Sequence, residues 1–323
     1  MEAARGPPGR LSPVLQPPLP DGSPPGWFRR AVALAPVSRV TRVDGCSIHS
    51  LSWGDVRKRT LVLVHGGAAH AYWWSFIGPL FLPNYHVVAV DLSGHGDSGH
   101  RGRYSFRGWA AEVIGVGGGA GSDLPAVVLA HSMSGIVAAL AAEVAGHRLA
   151  GTIVVDVPLE EPEPAAIGDA ETIFRATKTY PTKADAQRRF RILPPQPVHH
   201  AALVEHVAAH SIRLEGSGWT WKFDPSVFAA RLADRPADVG TVLMKASCPL
   251  AAIVGERSSV VPEVQRERLR RLTSPAGDGR DHAMLEIDGG YHHLMFDRPV
   301  ELVAAVGSVL ARWGLPAVDP ADG

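Results

Sequence analysis

One serine carries the strongest chemical signal in the sequence. The run Val127-Val128-Leu129-Ala130-His131-Ser132-Met133-Ser134-Gly135-Ile136-Val137-Ala138-Ala139 passes from a short β-branched apolar segment into an Ala-rich helical one, with Ser132 at the join. A strand that reverses sharply into a helix forces its tip residue into a strained conformation. It also brings strand and helix so close that only Gly, Ala or Ser fits two positions to either side. Ala130 and Ser134 hold those positions. Such a turn would keep the Ser132 hydroxyl above the sheet edge beside a helix N-terminus, where backbone N–H groups favour developing negative charge. A surface serine on an ordinary strand–helix turn is the alternative, and the rest of the chain must decide between the two.

A serine nucleophile needs a base, a carboxylate to orient that base, and N–H groups for an oxyanion. His65-Gly66-Gly67-Ala68 follows the apolar run 61–64, and its glycines let backbone approach a substrate and turn an N–H inward. Met133 offers a second N–H. Gly290-Tyr291-His292-His293 follows the run 283–287, with Asp297 and Pro299 behind it, and Asp156 closes the run 152–155.

The elements that must place these groups are legible as apolar runs. Residues 38–43 and 47–53 flank an Asp44-Gly45 turn and predict a β-hairpin. Residues 61–64, 86–90, 127–129, 152–155, 249–254 and 283–287 predict buried strands. Helical patterns are predicted near 73–82, over 109–116, from 133 to about 144, and over 300–313. Strands alternating with helices at this spacing imply an α/β fold with a mostly parallel sheet covered on both faces, whose ligands bind at the carboxyl edge of the strands.

Between 158 and 240 this rhythm stops. Short amphipathic candidates at 170–178, 184–192 and 201–212 are separated by prolines and followed by Trp219-Thr220-Trp221-Lys222-Phe223-Asp224, so a helical cap over the active edge is expected. Residues 1–26 carry eight prolines, and a disordered extension is expected through residue 36. The expected division is therefore an extension at 1–36, a core at 37–157 and 241–315, and a cap at 158–240.

Composition excludes several classes of function. The 32 Lys and Arg are balanced by 32 Asp and Glu, which leaves no global field for nucleic acid or an anionic membrane. No apolar run is long enough to span a bilayer. The two cysteines, Cys46 and Cys248, stand far apart and suit a reducing compartment, so a cytoplasmic protein is expected.

The order of these pieces resembles the α/β-hydrolase fold family over about residues 40–313: a His-Gly loop, Asp91–Gly99, the serine elbow, a helical cap, then a histidine ahead of an acidic residue and a proline. The resemblance implies an eight-stranded sheet with an inserted helical cap. It makes Ser132 the nucleophile, His292 the base from its distance to Asp297 and Pro299, and Gly67 and Met133 the oxyanion donors. His293 is the rival base by adjacency. The sequence departs from the family where the acid usually stands. Gly255-Glu256-Arg257-Ser258-Ser259-Val260 contains no aspartate. Asp156 is the expected substitute, a position some members of the family use, including dehalogenase-like relatives; Glu256 is the alternative.

The implied activity is hydrolysis of an ester or related acyl bond of a small, fairly apolar molecule through an acyl-enzyme, without a cofactor or metal. Carbon–carbon bond hydrolysis of a dicarbonyl-type substrate, a lyase or cyclase, and a non-catalytic small-molecule receptor remain open on the same fold. Other suggestive residues have simpler explanations. His206 and His210 sit one helical turn apart with His199 and His200 upstream, but no carboxylate or cysteine completes a zinc set. The glycines from Gly115 to Gly121 follow a helix and precede a strand, which is a connector rather than a dinucleotide loop. Arg188-Arg189-Phe190-Arg191 is expected on a solvated face of the cap.

Overall fold

The computed structural model describes residues 10–11, 23–160, 178–229, 234–274 and 280–318. Its strands are β1 (Arg10–Leu11), β2 (Val37–Val43), β3 (Cys46–Trp53), β4 (Thr60–Val64), β5 (His86–Val90), β6 (Ala126–His131), β7 (Leu149–Val155), β8 (Ile212–Glu215), β9 (Gly218–Trp221), β10 (Leu250–Gly255) and β11 (Ala283–Ile287). All but β8 and β9 join one sheet in the order β1-β11-β10-β7-β6-β4-β5-β3-β2. It is the expected eight-stranded sheet with the two-residue β1 added at one edge. Only the β2/β3 and β3/β5 pairs are antiparallel.

The helices are α1 (Gly26–Ala33), α2 (Phe106–Gly118), α3 (Ser134–Ala145), α4 (Lys183–Arg189), α5 (Ala201–His210), α6 (Ser226–Ala229), α7 (Val239–Met244), α8 (Glu263–Leu272), α9 (Leu294–Asp297) and α10 (Pro299–Arg312). The period-2 pleat divides each central strand between two cores. Leu61 and Leu63 of β4 face one cluster with Phe28 of α1 and Leu302 and Val306 of α10. Val62 and Val64 face the other, with Trp109 and Val113 of α2 and Ile136 and Val137 of α3. Both faces of β4 are therefore dry, which is why its sequence shows no polar alternation.

Several expectations are corrected. The extension expected to be disordered through residue 36 contains α1, because Trp27, Phe28 and Ala31 lie on one helical face and are buried. Arg10 and Leu11 pair in parallel with Glu286 and Ile287. The helix expected near 73–82 is two 3-10 turns, Ala71–Trp74 and Gly78–Phe81. Helix α2 passes the expected end at 116 and runs through Gly118, so Gly115, Gly117 and Gly118 of the stretch read as a connector are helical. The segment expected to be a helical cap is not wholly helical, since β8 and β9 form an antiparallel hairpin across Gly216. The helix expected at 170–178 lies, apart from its last residue, outside the described residues. No helix among the described residues is long and apolar enough to cross a membrane.

Candidate active site

Ser132 stands at the carboxyl end of β6 with φ 55°, in the left-handed region. Its N–H continues the ladder to Val155 O at 2.9 Å, and its carbonyl accepts from Gly135 N at 2.8 Å. The residue thus belongs to strand and helix at once, and the reversal between them is what forces the positive φ. Among the described residues four non-glycines have positive φ: Asp44, Ala68, Ser132 and Asp156. Three of the four lie on the loops at this sheet edge, the pattern of strain held in place by surrounding structure.

The His-Gly loop packs directly on the elbow. The Ser134 hydroxyl donates to His65 O, and a side chain on Gly66 would approach Ser132 Cβ at 3.2 Å. Neither the Gly67 nor the Met133 N–H has an acceptor among the described residues. Both flank Ser132, as a pair of oxyanion donors would. The Phe228 ring of α6 lies 3.4 Å from where a Gly67 Cβ would stand, so an aromatic side chain covers this loop.

The loop after β11 brings in the histidine. A Cβ on Gly255 would stand 2.5 Å from the carbonyls of Gly290 and Tyr291, so only glycine at the end of β10 lets this loop come so close. The Ser132 hydroxyl lies 3.0 Å from His292 Nε2. On the far side of the ring, Nδ1 lies 2.6 Å from Asp156 Oδ2. Asp156 ends β7 and is fully buried. Its other oxygen accepts from Gly255 N at 2.9 Å, and Ser258 Oγ donates to Oδ2 at 2.5 Å. Ser258 stands where the usual aspartate was missing from the sequence, and it hydrogen-bonds the carboxylate that faces His292. Glu256 points elsewhere and accepts from Gly289 N at 2.6 Å. His293 is turned away from Ser132, with Nε2 2.9 Å from Leu193 O.

Three imidazoles crowd this end of the sheet. His131 and His293 are buried beside His292, and burial, with His292 close by, pushes both well below the usual histidine range. The three could group around a metal ion. Sequence reasoning did not single out His131, although its place next to the elbow serine was a signal. Gln196 was also missed. Its side-chain amide accepts from His293 N at 2.7 Å and donates to His293 O at 3.2 Å, tying the segment before α5 to the histidine loop. Burial pushes the Asp297 carboxyl up to about 6, and that carboxylate accepts from Tyr291 N at 2.8 Å.

His206 and His210, considered as zinc ligands, instead fasten α5 to the core. His206 Nε2 lies 2.8 Å from Ser75 Oγ, and His210 stacks on Tyr72 at 3.9 Å. Neither joins a group of three metal-ligating side chains among the described residues. Arg188 pairs with Asp185 on an exposed face, as expected. His95 is buried against His65 in the Asp91–Gly99 loop. That loop also anchors the stretch after β9, through Gly96 N to Lys222 O and Asp224 N to Gly94 O, each 2.7 Å.

A profile of the alpha/beta hydrolase family matches residues 61–306. The chain belongs to this family and is an α/β-hydrolase enzyme. It is 28% identical over 215 residues to the pimeloyl-[acyl-carrier protein] methyl ester esterase of Methylococcus capsulatus, covering 66% of this chain and 81% of the relative. Over 97 residues it is 35% identical to methylesterase 9 of Arabidopsis thaliana, 29% of this chain and 38% of that one. Among solved structures, the thioesterase domain from the curacin biosynthetic pathway superposes with a TM-score of 0.69 at 22% identity, covering 86% of this chain and 99% of the domain. E-2-(acetamidomethylene)succinate hydrolase superposes at 0.73 with 16% identity, covering 85% and 99%.

Proposed function

We propose that the protein is a serine hydrolase that cleaves an ester or related acyl bond of a small, fairly apolar molecule through Ser132, His292 and Asp156. The observation that carries this reading is the unbroken chain from Ser132 Oγ through His292 to Asp156, at 3.0 and 2.6 Å, at a strained elbow with two unoccupied N–H groups beside it. Ser132 attacks the carbonyl carbon while its proton passes to His292 Nε2. Asp156 holds the proton on Nδ1 and stabilises the imidazolium. The N–H groups of Gly67 and Met133 face the oxyanion. Collapse of the tetrahedral intermediate releases the alcohol, protonated by His292, and leaves an acyl-enzyme. Water, deprotonated by the same histidine, then frees the acid. Each step uses only this chain's side chains, its backbone N–H groups and water.

The names of the relatives, two of them methyl ester esterases, support an ester as the bond cleaved. The aromatic side chains Tyr72, Trp73, Phe190 and Phe228 support an apolar substrate, and residues 158–240 are read as its cap. Cys46 and Cys248, buried and unpaired, support a reducing, cytoplasmic setting. The test is covalent labelling of Ser132 by a fluorophosphonate, with turnover of methyl, p-nitrophenyl and thiol esters measured alongside. Stoichiometric labelling with ester turnover is expected. A folded protein that does not label would overturn the reading, and labelling without any ester turnover would move the substrate to the carbon–carbon class.

A further inference from the structure

The crowding of His131, His292 and His293 has a regularity that the hydrolytic reading does not require. A carbonyl or a carboxylate can only accept a hydrogen bond, so its partner nitrogen must carry the proton. His131 Nε2 faces His292 O at 3.0 Å, His293 Nε2 faces Leu193 O at 2.9 Å, and His292 Nδ1 faces Asp156 at 2.6 Å. In all three rings the opposite nitrogen is therefore left with a bare lone pair. At His131 and His293 that nitrogen, Nδ1, is buried and has no hydrogen-bond partner among the described residues. At His292 it is Nε2, whose one partner is the Ser132 hydroxyl.

An imidazole with one N–H donated to a carbonyl or carboxylate and its other nitrogen bare is the arrangement metal-ligating histidines adopt. The spacing agrees. An ion about 2.1 Å from three imidazole nitrogens in tetrahedral array holds the ring centroids about 5 Å apart. Here the centroids are 4.8, 5.3 and 4.7 Å apart, and one nitrogen from each ring lies within 4.8 Å of the others. Two buried polar atoms without a partner call for an explanation, and an ion that accepts both lone pairs supplies one. We propose that His131, His292 and His293 form a binding site for a borderline divalent cation of the Zn²⁺ type, and that its occupancy takes His292 Nε2 away from Ser132. Binding needs only the three imidazoles. Its consequence, reversible loss of hydrolysis, rests on the proposed function above.

The experiment uses the full chain stripped with a chelator. Calorimetric titration with Zn²⁺ and visible absorption with Co²⁺ should give one ion per chain with the d–d bands of tetrahedral nitrogen ligation. Ser132→Ala should bind at least as tightly, because the competing hydroxyl is gone. Zn²⁺ should block fluorophosphonate labelling of Ser132, and EDTA should restore it. His131→Asn and His293→Asn should still label when metal-free while their affinity for Zn²⁺ falls by about tenfold or more. The proposal is overturned if wild type and Ser132→Ala both fail to bind stoichiometrically, or if binding is undiminished in both asparagine variants. Wild type and Ser132→Ala alone carry the test should either asparagine variant not fold. Failure of the two proposals is separable: tetrahedral Co²⁺ bands from a protein that never labels would keep the cation site and remove the hydrolase reading.

Discussion

The molecule contains two Ser–His–Asp arrays of nearly equal geometry. At the carboxyl ends of β6 and β7, Ser132, His292 and Asp156 are joined at 3.0 and 2.6 Å. Across β2, β3 and the carboxyl end of β5, Ser38 Oγ lies 2.9 Å from His49 Nε2, and His49 Nδ1 lies 2.7 Å from Asp91 Oδ2. Both aspartates end buried strands, and both histidines are buried. The surroundings separate them. Ser132 has φ 55° at a strand–helix reversal, and the Gly67 and Met133 N–H groups beside it have no acceptor among the described residues. Ser38 lies within β2, an edge strand exposed over most of its length, and not at a strand–helix reversal. Asp91 is further committed to Ala71 N at 2.6 Å and Asp97 N at 2.9 Å, so it ties three segments of chain together. On the proposed function, hydrogen-bond distances alone do not define a catalytic site. Strain that exposes the hydroxyl, and donors aimed at a developing charge, make the difference.

The largest effects that test this contrast belong to the first array. Ser132→Ala and His292→Ala should each lower ester turnover by about four to six orders of magnitude, with the fold retained by circular dichroism. Asp156→Asn should cost about four orders, because an asparagine does not fix the proton on Nδ1 of His292. Glu256→Gln should stay within about threefold of wild type, since its carboxylate serves Gly289. If Asp156→Asn kept near-normal turnover while Glu256→Gln lost it, the assignment of the acid would be reversed.

The asymmetry between the arrays was partly legible beforehand. The central strands announced themselves because both faces are buried: β5 and β11 begin and end where their apolar runs do. The groups at 65–68, 132–133 and 290–293 stand where those runs stop, and the family resemblance is what singled out His292 from His293. The role of position 258 was not legible. A serine is common on loops, and nothing in its neighbours signals a hydrogen bond to a strand end about a hundred residues earlier. Gln196 was hidden for the same reason, as its partners are backbone groups of a distant loop. By contrast α1 and the β8–β9 hairpin had readable signals that were outweighed. Trp27, Phe28 and Ala31 share a helical face, but a proline-rich leader precedes them. Gly216-Ser217-Gly218 marks a hairpin turn, but Arg213 and Glu215 dilute the strand before it.

The second array should fail differently. Burial alone would raise the Asp91 carboxyl, yet the hydrogen bond from His49 and the nearby imidazoles of His70 and His65 outweigh it and hold the group at about 2. A carboxylate depressed on folding stabilises the native state above its unfolded pKa, and that stabilisation is lost as pH falls through the folded value. Asp91→Asn should therefore cost roughly 2 kcal/mol near neutral pH. The gap to wild type should close between about pH 4 and pH 2. Denaturant titration across that range measures it. A constant gap would mean that the hydrogen-bond network, and not the charge, is what Asp91 contributes.

The smallest expected effect is the most discriminating. Ser38→Ala removes the hydroxyl that completes the second array, at an exposed position where truncation changes stability by about 0.5 kcal/mol or less. Turnover should stay within about twofold of wild type. The sharper measurement is made in Ser132→Ala, where the stronger nucleophile is gone and any reactivity of Ser38 has no competitor. Prolonged exposure of that variant to a fluorophosphonate, followed by peptide mass mapping, should leave Ser38 unmodified. Its hydroxyl has a base and an acid behind it but lies within a strand, away from an elbow where a helix N-terminus would face the oxyanion, and such donors are usually the larger contribution. Modification of Ser38 at a rate approaching that of Ser132 in the intact enzyme would show that the histidine–aspartate pair is sufficient, and that the elbow and its N–H groups matter less than the comparison implies.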